Sequence, residues 1–379
     1  MSRIKVAFII DAGWLGGINY FRNLLFAIEQ VPDRKIEPVI LIGKKTDLAL
    51  LKGLPDFQVI RTSILDQDSY WWRKNRAHGN RLFVWLLRLH GIKVLSHTWH
   101  VWLGRIKTIA WIPDFQHHHL PDFFSAEELR NRDGMFLEVA KRSTRVLLSS
   151  KDALKDYASF APEYQSKARV LNFVSAPVPE KATNLVELKE KYQFDRPYFY
   201  IPNQFWVHKN HQVVIDAVIK LREDRPDVLV LSTGSTQDYR NPEYFPELER
   251  KIEKNGIGNN FKILGVVPYQ DVVGLLINAR AMINPSLFEG WSTSVEEAKS
   301  LGVPMLLSDI AVHFEQAKDI ASFFSANDPD SLADRMMEII DRGTTPRAVV
   351  QASDRDADNR KRFVEFGERY QKIVVEMMN

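Results

Sequence analysis

The chain has 379 residues, 45% hydrophobic and 26% charged, enough apolar mass for about two globular domains. A formal net charge of +3 is too small to argue for nucleic-acid binding, and the absence of cysteine excludes disulfides and thiolate metal sites and fits a reducing cytosol. No apolar run approaches the ~20 residues needed to span a bilayer, and the N-terminal run stops at Asp11, short of a secretory leader.

Periodicity predicts alternating strands and helices along the first half. A buried strand at 5–10 leads into a tight loop, Trp14-Leu15-Gly16-Gly17. A helix at 19–29 follows, with Phe21, Leu24, Leu25 and Ile28 on one face. Short strands come next at 38–42 and 57–60. A helix at 81–90 ends at Gly91, and strands follow at 93–95 and 106–112. A loop then runs through His117, His118 and His119, before a helix at 126–142 and a strand at 145–148. Residues 175–180, with prolines at 177 and 179, read as a linker.

The pattern then starts afresh. A strand at 198–201 opens into a polar loop at 202–210 and a helix at 212–222. A strand at 228–231 leads to Thr233-Gly234-Ser235. Helices at 246–255, 272–279 and 295–301 alternate with strands at 261–264, 281–284 and 305–307. The last helix, 362–377, places Phe363, Phe366, Tyr370, Ile373 and Met377 on one face and needs a surface to pack on. This rhythm implies an α/β chain of two doubly wound, Rossmann-like domains with mostly parallel sheets. The expected division is 1–176 and 177–361, with 362–379 as a terminal helix packing back on the first domain.

Charge is unevenly spread. No acidic residue occurs between Asp68 and Asp114, whereas Arg73, Lys74, Arg76, Arg81, Arg88, Lys93, Arg105 and Lys107 do. Trp71, Trp72, Trp85, Trp99, Trp102 and Trp111 lie in the same stretch. Cations mixed with indoles suit an anionic membrane surface, and 71–111 is the candidate region. The competing reading is that some of these tryptophans are core. Nucleic-acid stacking would use similar residues, but the rest of the chain gives it no support.

The segment 284–298 carries the chemistry. Asn284 lies at a predicted strand end, where α/β ligand sites sit. Gly290 permits close backbone approach, and Ser292, Thr293 and Ser294 open the next helix, so free amides and the positive helix end face the loop, a geometry for phosphate. Glu289 stands in the loop and Glu297 in about the first helical turn. Each carboxylate could accept hydrogen bonds from vicinal sugar hydroxyls. The plainer alternative is a helix start with favourable charges.

This segment resembles the E-x7-E signature of retaining glycosyltransferases of the GT-B fold, family 4 (glycosyl transferases group 1). The likeness extends from Asn284-Pro285-Ser286 to Glu297-Ala298-Lys299-Ser300-Leu301-Gly302-Val303-Pro304. It implies two Rossmann-like domains with a cleft between them that closes over the donor. It assigns Glu289 to the donor-sugar hydroxyls, Glu297 to the nucleotide ribose, and the amides of Trp291, Ser292 and Thr293 to the donor. Gly265-Val266-Val267 falls where the family places the nucleobase, and Gly16-Gly17 resembles the loop near the donor phosphates and acceptor. Gly234 joins the donor-binding set. Lys209 would meet the diphosphate. The family's Gly-Arg pair ahead of that lysine is replaced by Asn203 and Gln204, and His208, if protonated, would supply the missing charge. Pro113 stands where the family often has a histidine near the transferred sugar, so one of His117, His118 and His119 inherits that role, His118 and His119 being the candidates.

The implied reaction transfers a sugar from a nucleoside-diphosphate sugar, UDP or GDP, to a hydroxyl of a glycan or lipid-linked acceptor, with retention. A departing phosphate oxygen takes the acceptor proton, and donors around the diphosphate stabilise the developing charge. Glu289, Lys209, His118 and His119 are the catalytic candidates. No cofactor or metal is expected: adjacent histidines in an extended loop point different ways, and the aspartates at 354, 356 and 358 read as a solvated loop or helix start. The expected location is cytoplasmic, peripheral on the inner membrane face, in bacterial surface-polysaccharide or lipopolysaccharide assembly. A non-catalytic nucleotide-sugar binder and a GT-B sugar epimerase are the alternatives.

Overall fold

Each half of the chain builds one parallel sheet. The computed structural model describes residues 3–10, 15–77, 80–99, 103–176, 181–343 and 352–378. They divide into two units. The first comprises Met1–Phe115, Ser125–Val174 and Arg360–Asn379, and the second Gln116–Phe124 and Ser175–Asn359.

The first unit contains β1 (Ile4–Ile9), β2 (Ile36–Ile42), β3 (Gln58–Arg61), β4 (Val94–Ser96), β5 (Lys107–Ile112), β6 (Arg145–Leu148) and β7 (Ala168–Val170). Their order is β3-β2-β1-β4-β5-β6-β7, and every pairing is parallel. Central strands buried on both faces need continuous apolar runs, which Val6-Ala7-Phe8 and Val39-Ile40-Leu41-Ile42 supply. Helix Ala126–Arg142 starts at a capping box formed by Ser125 and Glu128.

The terminal helix, Ala352–Glu376, contributes its residues from Arg360 onward to this unit. Phe363, Phe366, Tyr370, Ile373 and Val374 are buried, and Tyr370 donates to Ser96 Oγ at 2.7 Å. Gly367 makes the approach possible, because a Cβ there would lie 2.3 Å from the carbonyl oxygen of Ala27. The aspartates at 354, 356 and 358 lie in the first turns of this helix.

Two local expectations change. Leu15, Gly16 and Gly17 form the first turn of helix Leu15–Glu29 rather than a tight loop, and Trp14 lies outside the described residues. Glycine is tolerated there because a first turn rests on few intrahelical bonds and the better helix formers downstream carry the element. His117, His118 and His119 occupy a helical turn, Gln116–His119, closed by the Leu120 amide on the Gln116 carbonyl at 2.8 Å. Of the expected linker, 177–180 lie outside the described residues, as does Trp102.

The second unit contains β8 (Phe199–Ile201), β9 (Val230–Thr233), β10 (Phe261–Gly265), β11 (Met282–Asn284), β12 (Met305–Ser308) and β13 (Ser322–Phe324), in the order β10-β9-β8-β11-β12-β13, again all parallel. One face is packed by helices His211–Asp224, Tyr244–Lys254 and Pro329–Asp341, the other by Leu185–Tyr192, Tyr269–Ile277 and Thr293–Leu301. Strand order reverses between β8 and β11. In open α/β sheets the crevice beyond the C-terminal strand ends at such a reversal is where ligands bind.

Candidate active site

Asn203 follows β8 and Asn284 ends β11, so both stand at the reversal, joined by Asn203 Nδ2 donating to Asn284 Oδ1 at 3.2 Å. Asn284 organises what comes next. Its Oδ1 accepts from Ser286 Oγ at 2.7 Å, while its Nδ2 donates to Ser292 Oγ at 2.9 Å and Glu289 Oε1 at 3.5 Å. One buried amide thus ties the strand end to the loop and to the helix start.

Lys209 reaches the same place from the other strand. Val207–Lys209 form a 3-10 turn, ended by Asn210 at a φ of 53°. Asparagine tolerates that left-handed conformation better than most residues. Its side chain donates to Pro285 O at 3.2 Å and Ala326 O at 2.8 Å, and the Leu287 amide donates to His208 O at 2.8 Å. The loops are stitched together so that Lys209 Nζ lies 2.6 Å from Glu289 Oε1, with the side chains 18% and 9% exposed. Ser286 Oγ lies 2.7 Å from the same oxygen, and its one proton can go to Glu289 or to Asn284. Burial pushes the Glu289 carboxyl up, but the Lys209 charge, with His313 and the Lys209 and Ser286 hydrogen bonds, outweighs it and holds the group at about 2. Glu289 is a carboxylate at neutral pH.

Helix Thr293–Leu301 begins two residues earlier than the periodicity implies, which moves Glu297 past the first turn. Ser292 is the cap, its Oγ accepting from the Val295 amide at 3.5 Å. The Ser292 amide is already used, donating to Gln316 Oε1 at 3.0 Å, while Gln316 Nε2 donates to Ser292 O at 3.0 Å. The Ser292 amide, expected to meet the donor, is thus hydrogen-bonded to a side chain of the protein in this structure. Helix geometry leaves the next amides, those of Thr293 and Ser294, without intrahelical acceptors. Glu297 is buried and accepts from Tyr269 Oη at 2.7 Å. Burial raises its carboxyl to about 7, against the hydrogen bonds from Tyr269 and Ser175.

The other expected residues are placed unevenly. Gly234 packs on Asn203, where a Cβ would meet the Asn203 carbonyl oxygen at 2.4 Å. Gln204, His118 and His119 are exposed, as are Thr293 and Val266, the last just after β10; Gly290 and Trp291 are half-buried. Gly16 and Gly17 belong to the first unit. His208 does not supply a charge: burial, then the neighbouring Lys209, lowers it to about 3, so it is neutral. The His119 ring lies tilted, 5.0 Å from that of Phe288, the neighbour of Glu289, and segment Gln116–Phe124 sits with the second unit.

Three contributors went unexpected. Gln316 pins the helix cap, and Tyr269 holds Glu297. His313 is buried behind Ser308, with Nδ1 3.0 Å from the Ser308 carbonyl, while Ser308 Oγ donates to Ser286 O at 2.6 Å. Burial lowers His313 to about 4, against the pull of Glu289. Tyr269 had a readable signal, since Pro268 marks a helix start. Gln316 and His313 had none, because helix Ala311–Ala317 has no distinct boundary in the sequence.

Two parallel Rossmann-like sheets in this order make a GT-B fold. The chain aligns with the crystal structure of HepE from Anabaena in complex with UDP and glucose at a TM-score of 0.70 and 16% identity, covering 99% of this chain and 100% of that one. It aligns with the apo lipopolysaccharide outer core galactosyltransferase WaaB at a TM-score of 0.62 and 16% identity, over 98% and 99% of the two chains. Residues 187–356, which lie within the second unit, match the family described as Glycosyl transferases group 1. A curated relative, O-antigen chain mannosyltransferase B of Escherichia coli, is 28% identical over 103 residues, 26% of this chain and about a quarter (27%) of that protein.

Proposed function

We propose that the protein is a retaining glycosyltransferase that moves a sugar from a UDP- or GDP-sugar to a hydroxyl of a glycan or lipid-linked acceptor in surface-polysaccharide or lipopolysaccharide assembly. The observation that carries this reading is the Lys209–Glu289 pair at the strand-order reversal, 2.6 Å apart and beside a helix N-terminus. Lys209 has three donors, so it can hold Glu289 and a diphosphate oxygen together. Glu289, kept ionised, accepts from donor-sugar hydroxyls. Glu297 accepts from the ribose. Lys209 and the first-turn amides oppose the charge that grows on the leaving diphosphate, and a phosphate oxygen receives the acceptor proton. The chemistry needs no metal, so EDTA should leave turnover intact.

The substrate class is supported by relatives whose names carry an O-antigen mannosyltransferase and an outer core galactosyltransferase. Location at an anionic membrane face is part of the proposal, and no helix of the described residues is long and apolar enough to cross a membrane. Exposed Gln204 and neutral His208 leave fewer cations than the family pattern, which favours a non-catalytic nucleotide-sugar binder as second reading. A panel of UDP- and GDP-sugars separates the two. Wild type should release nucleoside diphosphate from one of them, and Glu289→Ala should lose at least ~100-fold in kcat. Tight binding without release in the wild type would establish the binder instead.

A further inference from the structure

Arg240 lies outside every residue assigned so far, yet its side chain is only 7% exposed. Its Nε donates to Asp238 Oδ1 at 3.3 Å, and Asp238 is almost fully buried. Its Nη1 donates to Gln116 Oε1 at 3.3 Å. The guanidinium lies over the rings of Trp206, 4.9 Å away, and Phe124, 5.4 Å away. Asp238 Oδ2 in turn accepts from the Val207 amide at 3.4 Å, and Trp206 Nε1 donates to Gln237 O at 3.3 Å.

These contacts join two segments. Trp206 and Val207 belong to the loop that presents Lys209. Gln116 and Phe124 bound the segment with the three histidines, whose His119 ring stands against Phe288, next to Glu289. We propose that Arg240 is a positioning residue, a latch that holds the Gln116–Phe124 segment and the Lys209 loop in one register. This rests on the glycosyltransferase reading above. The Arg240 charge is matched by Asp238, and its Nη2 is buried without a hydrogen-bond partner among the described residues. Arginine suits a latch because its fork can satisfy Asp238 and Gln116 together while stacking on two aromatic faces, which lysine cannot do.

Three variants test the latch without leaving a lone buried charge: Gln116→Ala, Gln116→Glu, and Arg240→Met combined with Asp238→Asn. Each is assayed for turnover of the best donor sugar, for calorimetric binding of the free nucleoside diphosphate, and for thermal unfolding. Gln116→Ala and the paired variant should unfold as cooperatively as wild type and bind nucleotide within about two-fold. They should lose on the order of 10- to 100-fold in kcat, the scale of a misplacement near 1 Å. Gln116→Glu, which still accepts from Nη1, should recover most of the loss. Unchanged kcat in the folded paired variant overturns the latch, and so does a rise in nucleotide Kd that accounts for the whole loss in kcat/KM, which would make Arg240 a donor ligand. Absence of turnover by the wild type on every donor fails the underlying glycosyltransferase reading instead.

Discussion

Glu289 and Glu297 are eight positions apart on one segment, and the structure drives their carboxyls in opposite directions. Both are desolvated. Glu289 has a lysine 2.6 Å away and falls to about 2, whereas Glu297 has only hydroxyl donors and rises to about 7. The consequences for stability differ in sign. The Glu289 contribution is present above the ordinary glutamate range near 4.5 and is lost as pH falls toward 2. Glu297 holds a proton in the folded state that the unfolded chain releases, so its contribution is complete below about 4.5 and is lost as pH rises through 7, worth roughly 3 kcal/mol at most. Glu297→Gln imitates the protonated acid. It should match wild type in thermal stability at pH 5 and exceed it at pH 8. If the carboxylate holds the ribose, nucleotide binding below pH 7 should release about one proton, read by calorimetry in buffers of different ionisation enthalpy, and the variant should release none. Equal proton release by both proteins would remove Glu297 from the ribose site.

At the scale of elements, close approach decides the site. The end of β9 meets the loop after β8 at Gly234, which has a φ of 142° and the Asn203 carbonyl where a Cβ would sit. Gly234→Ala must therefore push Asn203 away from Asn284, the hub for Ser286, Glu289 and Ser292. We expect a loss of at least ~2 kcal/mol of stability together with weakened nucleotide binding, whereas Gly258→Ala, where a Cβ meets open space, should change neither by much. Similar losses in both variants would deny Gly234 its special place. Most strands here were legible, because Val, Ile and Leu runs between turn residues admit few other readings. Helix Pro329–Asp341 was also legible, from Asp328 as cap and Pro329 in its first turn, yet is absent from the expected elements. The Glu289–Glu297 spacing could be read, since it lies within one segment. The contacts that set their chemistry could not. Gln316 meets Ser292 across 24 residues and Arg240 meets Gln116 across 124, and local periodicity carries no information at such distances.

At the scale of the whole molecule, the chain keeps one region free of negative charge. The tryptophans there have separated into two groups. Trp111 is packed in the first unit, its ring 4.3 Å from Tyr20 and stacked on it. Trp71, Trp85 and Trp99 are exposed, and Lys74 Nζ lies 5.4 Å over the Trp71 ring. Helix Arg81–Leu89 buries Phe83 and Leu87 and turns Arg81, Trp85, Arg88 and Leu89 outward, with Trp85 61% and Leu89 63% exposed. A solvated helix face would carry polar residues where these apolar ones stand. Indole and leucine flanked by arginine instead fit the headgroup boundary of an anionic bilayer, where each cation adds about 1 kcal/mol. The protein should float with phosphatidylglycerol-containing vesicles at low salt, stay unbound with phosphatidylcholine alone, and be partly released at high salt as the Debye length shrinks. Trp85→Glu with Leu89→Glu should cut partitioning at least about ten-fold while leaving thermal stability and donor turnover on a soluble acceptor unchanged, because neither side chain is part of the core. Vesicle binding that survives this double change would move the contact elsewhere on the chain, and no binding to anionic vesicles by the wild type would end the membrane assignment.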